Sequence, residues 1–194
     1  MEDAIIRYWP LVTQITVGTA LLGITWVYLP LLWGAPWVPA RMCVARKMLE
    51  LADVQPGQRV IDLGAGDGRI VTLAARGFGA QATGVEVDPI RCLIANGLIA
   101  LRGLRNRARV QWGSMYSVDL ADADVVIFYL WPKANRRLEP ILAAGLRPGA
   151  KVVTHQFSMI NWHPIAVDQE SRIYLYEIGR TEMDIGAMLA QEEV

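Results

Sequence analysis

The chain has 194 residues, 53% of them hydrophobic, with 19 Lys+Arg balanced by 19 Asp+Glu. That length suits one domain with an appendage, and the apolar content excludes an intrinsically disordered chain. Zero net charge argues against a protein that grips nucleic-acid phosphates, while the isolated Cys43 and Cys92 and only two histidines argue against a disulfide scaffold or a metal centre.

The first element is apolar. Between Arg7 and Arg41 no residue carries a charge, and Leu11–Leu29 lies within this run. As a helix Leu11–Leu29 reaches ~28 Å, close to a ~30 Å hydrocarbon core. Tyr8 and Trp9 precede it and Trp33 and Trp37 follow it, as interfacial aromatics do, and Pro30 ends or kinks it. Glu2 and Asp3 at the start, with no small-x-small site, do not fit a cleaved signal peptide. No basic face marks it as an interfacial helix. The expectation is a single transmembrane helix within an anchor of residues 1–35, spanning about 11–29. Arg41, Arg46 and Lys47 on one side against Arg7 on the other put the catalytic part in the cytoplasm by the positive-inside rule.

Residues 36–194 read as one α/β domain. Arg41–Leu51 has helical apolar spacing, and Gln55-Pro56-Gly57-Gln58 is a turn. Arg59–Leu63 reads as a buried strand, Gly64–Gly68 as a glycine loop and Arg69–Arg76 as a helix. Ala80–Glu86 is a second strand, and Asp88-Pro89 caps a helix running to about Ala100. Arg107–Trp112, Asp124–Leu130, Lys151–Gln156 and Arg172–Ile178 complete the strands, with a helix over Lys133–Gly145. Alternating apolar strands and helices predict a parallel sheet covered on both faces. Its ligand belongs at the carboxyl ends of the strands. Only Phe157–Ser171 separates the last two strands, with Pro164 inside, so the sheet is expected to close in a shortened hairpin rather than after a full helix.

The chemistry concentrates in Val60–Glu86. The loop Asp62-Leu63-Gly64-Ala65-Gly66-Asp67-Gly68 is not a G-x-G-x-x-G dinucleotide fingerprint, because Gly68 comes one residue early. Asp62, two residues before the first glycine, repels a pyrophosphate. It suits a zwitterionic ligand with an amino group, such as S-adenosylmethionine, whose carboxylate meets backbone N–H groups at the helix start. Glu86 ends the second strand, where doubly wound folds place the acid that takes ribose hydroxyls.

The string VIDLGAGDGRIV resembles motif I of class I S-adenosylmethionine-dependent methyltransferases. More narrowly, PWVPARMCVARKMLELADVQPGQRVIDLGAGDGRIV, GVEVDP, FYLWPKANRRLEP and RPGAKVVTHQF resemble prokaryotic relatives of the ATP synthase c-subunit and adenine nucleotide translocase lysine methyltransferases. The resemblance covers about Pro36–Ile178. It implies a Rossmann-like class I sheet with S-adenosyl-L-methionine as cofactor. It further implies that Asp62, Gly64, Ala65, Gly66 and Gly68 line the methionine moiety, that Glu86 binds the ribose, and that Val87, Ser114 and Met115 border the adenine. Ser114 stands where many class I enzymes have Asp, so it pairs with the adenine amino group only as a neutral partner. After the fourth strand, Tyr129-Leu130-Trp131-Pro132 replaces the Asn/Asp-Pro-Pro-aromatic string of many amino-methylating enzymes. Tyr129 and Trp131 are the candidate catalytic contacts to the acceptor; both also read as packing aromatics. His155 reads as a structural residue more readily than as a base.

Three functions fit. The first is methylation of a lysine on an integral membrane protein. The second is methylation of a lipid or quinone-like small molecule. The third is a non-catalytic subunit of a membrane complex, which the intact Asp62, loop and Glu86 disfavour. Neither nucleic acid nor metal is an expected partner. Arg102, Arg105, Arg107 and Arg109 read equally as a lipid-facing cluster and as a solvated face.

Overall fold

The structure is a computed structural model that describes residues 2–28 and 38–180. The chain divides into two compact units, Met1–Val38 and Pro39–Val194.

The first unit contains α1 (Glu2–Tyr28), with Pro10 inside it. Thr13, Thr16 and Thr19 donate their hydroxyls to the carbonyls of Trp9, Val12 and Ile15 one turn back, at 3.0, 2.8 and 2.9 Å. These bonds satisfy the hydroxyls within the helix. Among the described residues, no helix is long and apolar enough to cross a membrane. The span expected over 11–29 therefore has no support among the described residues, and its carboxyl end at Leu29 lies outside them. Leu29, Pro30, Trp33 and Trp37 lie outside the described residues, as does the hinge up to residue 37.

The second unit is built on a seven-stranded sheet. Its strands are β1 (Arg59–Leu63), β2 (Gln81–Glu86), β3 (Ala108–Trp112), β4 (Val125–Phe128), β5 (Lys151–His155), β6 (Ala166–Asp168) and β7 (Ile173–Glu177). Their order is β3-β2-β1-β4-β5-β7-β6. The first five are parallel, whereas β7 runs antiparallel to β5 and β6 antiparallel to β7. The parallel sheet expected from the alternation thus holds for five strands, and the sheet closes in the short hairpin expected after β5. β6 has three residues, one of them exposed, too short for a legible alternation. β4 stops at Phe128, two residues before the predicted end, which frees Tyr129 and Leu130 from the ladder.

The helices are α2 (Met42–Leu51), α3 (Arg69–Phe78), α4 (Pro89–Leu101) and α5 (Pro132–Gly145). Alternation along each strand feeds two cores. Val60, Ala82 and Val110 pack with Met48 and Leu49 of α2, Val71 of α3 and Ile99 of α4. Leu63, Val126, Phe128 and Val152 pack with Leu138 and Leu142 of α5. Burying one such Leu or Phe side chain contributes about 1.5–3 kcal/mol. Gly84 allows a close approach on which the site depends, since a Cβ there would stand 2.5 Å from Cβ of Ala65 and 2.9 Å from Val71 Cγ2.

Candidate functional site

β1 and β2 deliver one buried acid each to the carboxyl end of the sheet. Asp62 is in register with Gly84 of β2 and Ile127 of β4 and is 3% exposed. Among the described residues its carboxylate accepts no hydrogen bond and meets no cation. Burial, then the negative charges of Glu86 and Asp67, push its pKa up to about 8. A buried carboxyl held this way favours a cation beside it.

The chain leaves β1 through a loop in which Gly64, Gly66 and Gly68 have φ of 81°, 55° and 71°, a region costly for residues with a Cβ. Gly64 and Ala65 donate their N–H groups to Val85 O at 2.9 and 3.0 Å. Glu86, 6% exposed, accepts from Gly66 N at 2.8 Å and from Asp88 N at 3.1 Å. Glu86 therefore braces the glycine loop and the entry to α4. Its two oxygens offer about four lone-pair positions, so two remain for a ligand. Asp67 pairs with Arg69, Nη2 to Oδ2 at 2.6 Å. Arg69 Nη1 also donates to Ala40 O at 2.8 Å, tying the loop to the segment before α2.

The remaining donor-side candidates lie next along the sheet edge. Gly113 N donates to Glu86 O at 2.9 Å, bringing the end of β3 beside β2. Val87 is exposed, and its carbonyl accepts from Trp112 Nε1 at 2.9 Å. Ser114 is exposed and its Oγ accepts from Tyr116 N at 3.2 Å. Met115 is half-buried against the α5-side core.

The ends of β4 and β5 are aromatic. Tyr129 is half-buried, its ring 4.5 Å from that of His155 and tilted by 56°. Trp131 precedes α5, half-exposed, with its ring 6.4 Å from Phe157. Leu130 lies between them and reaches the glycine loop, where its Cδ2 would stand 3.2 Å from a Cβ at Gly64. Burial pushes the His155 pKa down, against hydrogen bonding to the Arg172 and Ser171 backbone, and its Nδ1 is buried without a partner.

Sequence reasoning missed two residues of α5. Glu139, 4% exposed, accepts from Ile160 N at 2.7 Å, Asn161 N at 2.8 Å and Asn161 Nδ2 at 3.0 Å. Asn135 donates from Nδ2 to Phe157 O at 3.1 Å. Together they hold the segment after β5 against α5. The signal was the i, i+4 spacing of two polar residues on the helix's apolar face. Among the described residues, no group of three His, Cys, Asp or Glu could hold a metal ion.

A separate trough of about 640 Å³ lies over the amino-terminal halves of β1–β3, lined by Arg59, Gln81, Arg107, Gln111 and Asp122 among others. It contains none of Asp62, the glycine loop or Glu86. The candidate residues lie at the other end of the strands, where open α/β sheets bind their ligands.

Residues 62–166 match the family model described as the ANTKMT methyltransferase domain. The chain is 38% identical over 151 residues to a protein-lysine N-methyltransferase of Saccharolobus islandicus, covering 74% of this chain and 94% of that protein. It is 32% identical to the adenine nucleotide translocase lysine N-methyltransferase of Mus musculus, over 84% of this chain and 72% of the relative. A solved structure described as an RNA methyltransferase from Salinibacter ruber in complex with S-adenosyl-L-homocysteine superimposes with a TM-score of 0.72 at 39% identity. It covers 76% of this chain and 99% of that one.

Proposed function

The chain belongs to the ANTKMT methyltransferase family and uses S-adenosyl-L-methionine, and from that premise we propose that it methylates the side-chain amine of a lysine in a membrane protein. The observation that carries the reading is the buried, unpaired Asp62 beside a glycine loop that Glu86 braces. This donor set fits a ligand with an ammonium, a carboxylate and ribose hydroxyls. When bound, S-adenosyl-L-methionine supplies a methyl group on a sulfonium for in-line displacement.

Asp62 takes the ammonium, giving the buried carboxyl the cation it lacks. The N–H groups at the start of α3 face the carboxylate, and Gly64, Ala65, Gly66 and Gly68 line the methionine moiety. Glu86 accepts from the ribose through its free lone pairs. Val87 and Met115 border the adenine, and the Ser114 hydroxyl pairs with its amino group. Tyr129 and Trp131 line the acceptor side, where their rings exclude water and guide a neutral amine onto the methyl. Desolvation between these rings lowers the lysine pKa, so alignment supplies most of the catalysis.

A membrane-resident acceptor is supported by the mouse relative, whose name gives the adenine nucleotide translocase as its substrate. The charge-free run from Tyr8 to Ala40 supports the same reading, with residues 1–35 keeping the domain from residue 36 on the cytoplasmic side of a membrane. A second reading, an RNA acceptor, rests on the description of the Salinibacter ruber structure. Incubating the full chain with methyl-labelled cofactor, membranes and total RNA separates them. Label in methyl-lysine of a membrane protein is expected. Label confined to RNA or to solvent-extractable lipid contradicts the proposal.

A further inference from the structure

α4 is apolar on the wrong side as well as the right one. Cys92, Ala95 and Ile99 face the core. Yet Ile90, Leu93, Ile94 and Leu101 are 51%, 74%, 46% and 86% exposed. Their positions i, i+3, i+4 and i+11 trace one stripe along the helix. Gly97 continues it as a flat, exposed step. Trp112, 72% exposed, has the same parity on β3 as the core-facing Ala108 and Val110, and so stands on the α4 side of the edge strand. Its hydrogen bond to Val87 O fixes the ring beside the first turn of α4.

The other end of the stripe is basic. Arg102 caps α4, and exposed Arg105 and Arg107 occupy the turn into β3; Arg109, of opposite parity to Trp112, lies on the other face of the strand. Arg102, Arg105 and Arg107 make no ion pair among the described residues. From Pro89 to Trp112 the chain carries no acid, and the fifth arginine there, Arg91, is buried beside Asp88. A solvated helix face carries polar residues of both signs. This one carries leucine, isoleucine and tryptophan next to uncompensated cations.

We propose that the outer face of α4, with Trp112 at one end and the Arg102–Arg107 turn at the other, docks on a bilayer containing anionic lipids. The apolar stripe enters the acyl boundary, Trp112 sits at headgroup level, and the arginines meet lipid phosphates. Charge complementarity selects this occupant: an apolar protein partner accounts for the stripe but not for the acid-free arginine turn. α4 is about 20 Å long at ~1.5 Å per residue, so lying flat it holds both ends at the surface together. Its first turn adjoins Val87, so docking also brings the candidate site towards the membrane. The inference goes beyond the proposed function and does not require the acceptor to be a lysine.

The test uses the full chain with Cys43→Ser and a spin label at Leu101→Cys; Cys92 is buried and stays unlabelled. Vesicles are phosphatidylcholine alone or mixed with phosphatidylglycerol. On the anionic vesicles the label should gain access to oxygen and lose access to a water-soluble nickel chelate. A label at Gln169→Cys, on the far edge of the sheet, should stay in water. Arg102→Glu, Arg105→Glu and Arg107→Glu together should return the Leu101 label to water, since each arginine is worth about fivefold in affinity for an anionic surface. Lysine at the same three positions should preserve immersion. A Leu101 label that remains in water on anionic vesicles overturns the proposal. So does equal immersion on phosphatidylcholine alone, or shielding from both probes before lipid is added, which means that protein covers the face. Lysine methylation is read separately, so either conclusion stands or falls alone.

Discussion

The two halves of the candidate site are held in different ways. At the ends of β1 and β2, Glu86 and Val85 bind four backbone N–H groups and fix the glycine loop before any ligand arrives. At the ends of β4 and β5, Tyr129, Trp131, His155 and Phe157 meet through rings. There the segment after β5 is secured from outside, by Asn135 and Glu139 of α5. The donor side is thus preorganised by hydrogen bonds local to one strand–loop–strand unit. The acceptor side is a shaped apolar wall whose support comes from a separate helix, α5.

The comparison breaks most sharply at Asp62. Asp62→Asn should weaken binding of S-adenosylhomocysteine by about a hundredfold or more, as loss of one partner of a buried charge pair does. The same variant should raise the melting temperature of the free protein by several degrees, because it removes an unpaired buried acid. Calorimetry and a thermal melt read the two effects. If affinity and stability fall together, Asp62 is a structural residue.

Tyr129→Ala should lower kcat by roughly 10–100-fold through lost alignment of the acceptor, with donor affinity nearly unchanged. If donor affinity falls in proportion to kcat, the two halves are not separate. Glu86→Ala should cost about 1.5–3 kcal/mol of donor affinity, the range for hydrogen bonds to charged groups. It should also speed hydrogen exchange at Gly66 and Asp88, whose N–H groups lose their acceptor. Glu139→Gln should have the smallest effect, a few-fold rise in acceptor KM with an unchanged donor Kd. An unchanged acceptor KM means that the clamp on Ile160 and Asn161 does not shape the acceptor side.

The same division governs how much was legible in the chain. Asp62, the three glycines and Glu86 share one short stretch, and each side chain does its work near its own place in sequence. β1 coincides with the strand predicted there. The bracing of Gly66 by Glu86 was not read, because a sequence gives the position of a carboxylate but not its hydrogen-bond partner. Glu139 was missed for a related reason: its partners, Ile160 and Asn161, are joined to it only by the packing of α5 on the sheet. β6 escaped because three residues give no measurable period. For α1, lack of charge predicted a membrane span; among the described residues no helix is long and apolar enough for one, and Leu29 at the expected end lies outside them.

Protonation gives the most direct test of the central claim, that Asp62 waits for a cation. With a folded-state pKa of about 8 against an ordinary 3.8, Asp62 holds a proton at pH 6.5 that the unfolded chain has released. The stability of the free protein therefore falls as pH rises from about 4 to about 8. A bound ammonium favours the carboxylate and expels that proton, so donor affinity rises with pH up to about 8. Calorimetry of S-adenosylhomocysteine binding at pH 6.5, in two buffers of different ionisation enthalpy, counts the protons. The account predicts release of close to one proton per ligand bound, lost in Asp62→Asn. Tight binding with no proton released, or the same release from Asp62→Asn, contradicts it.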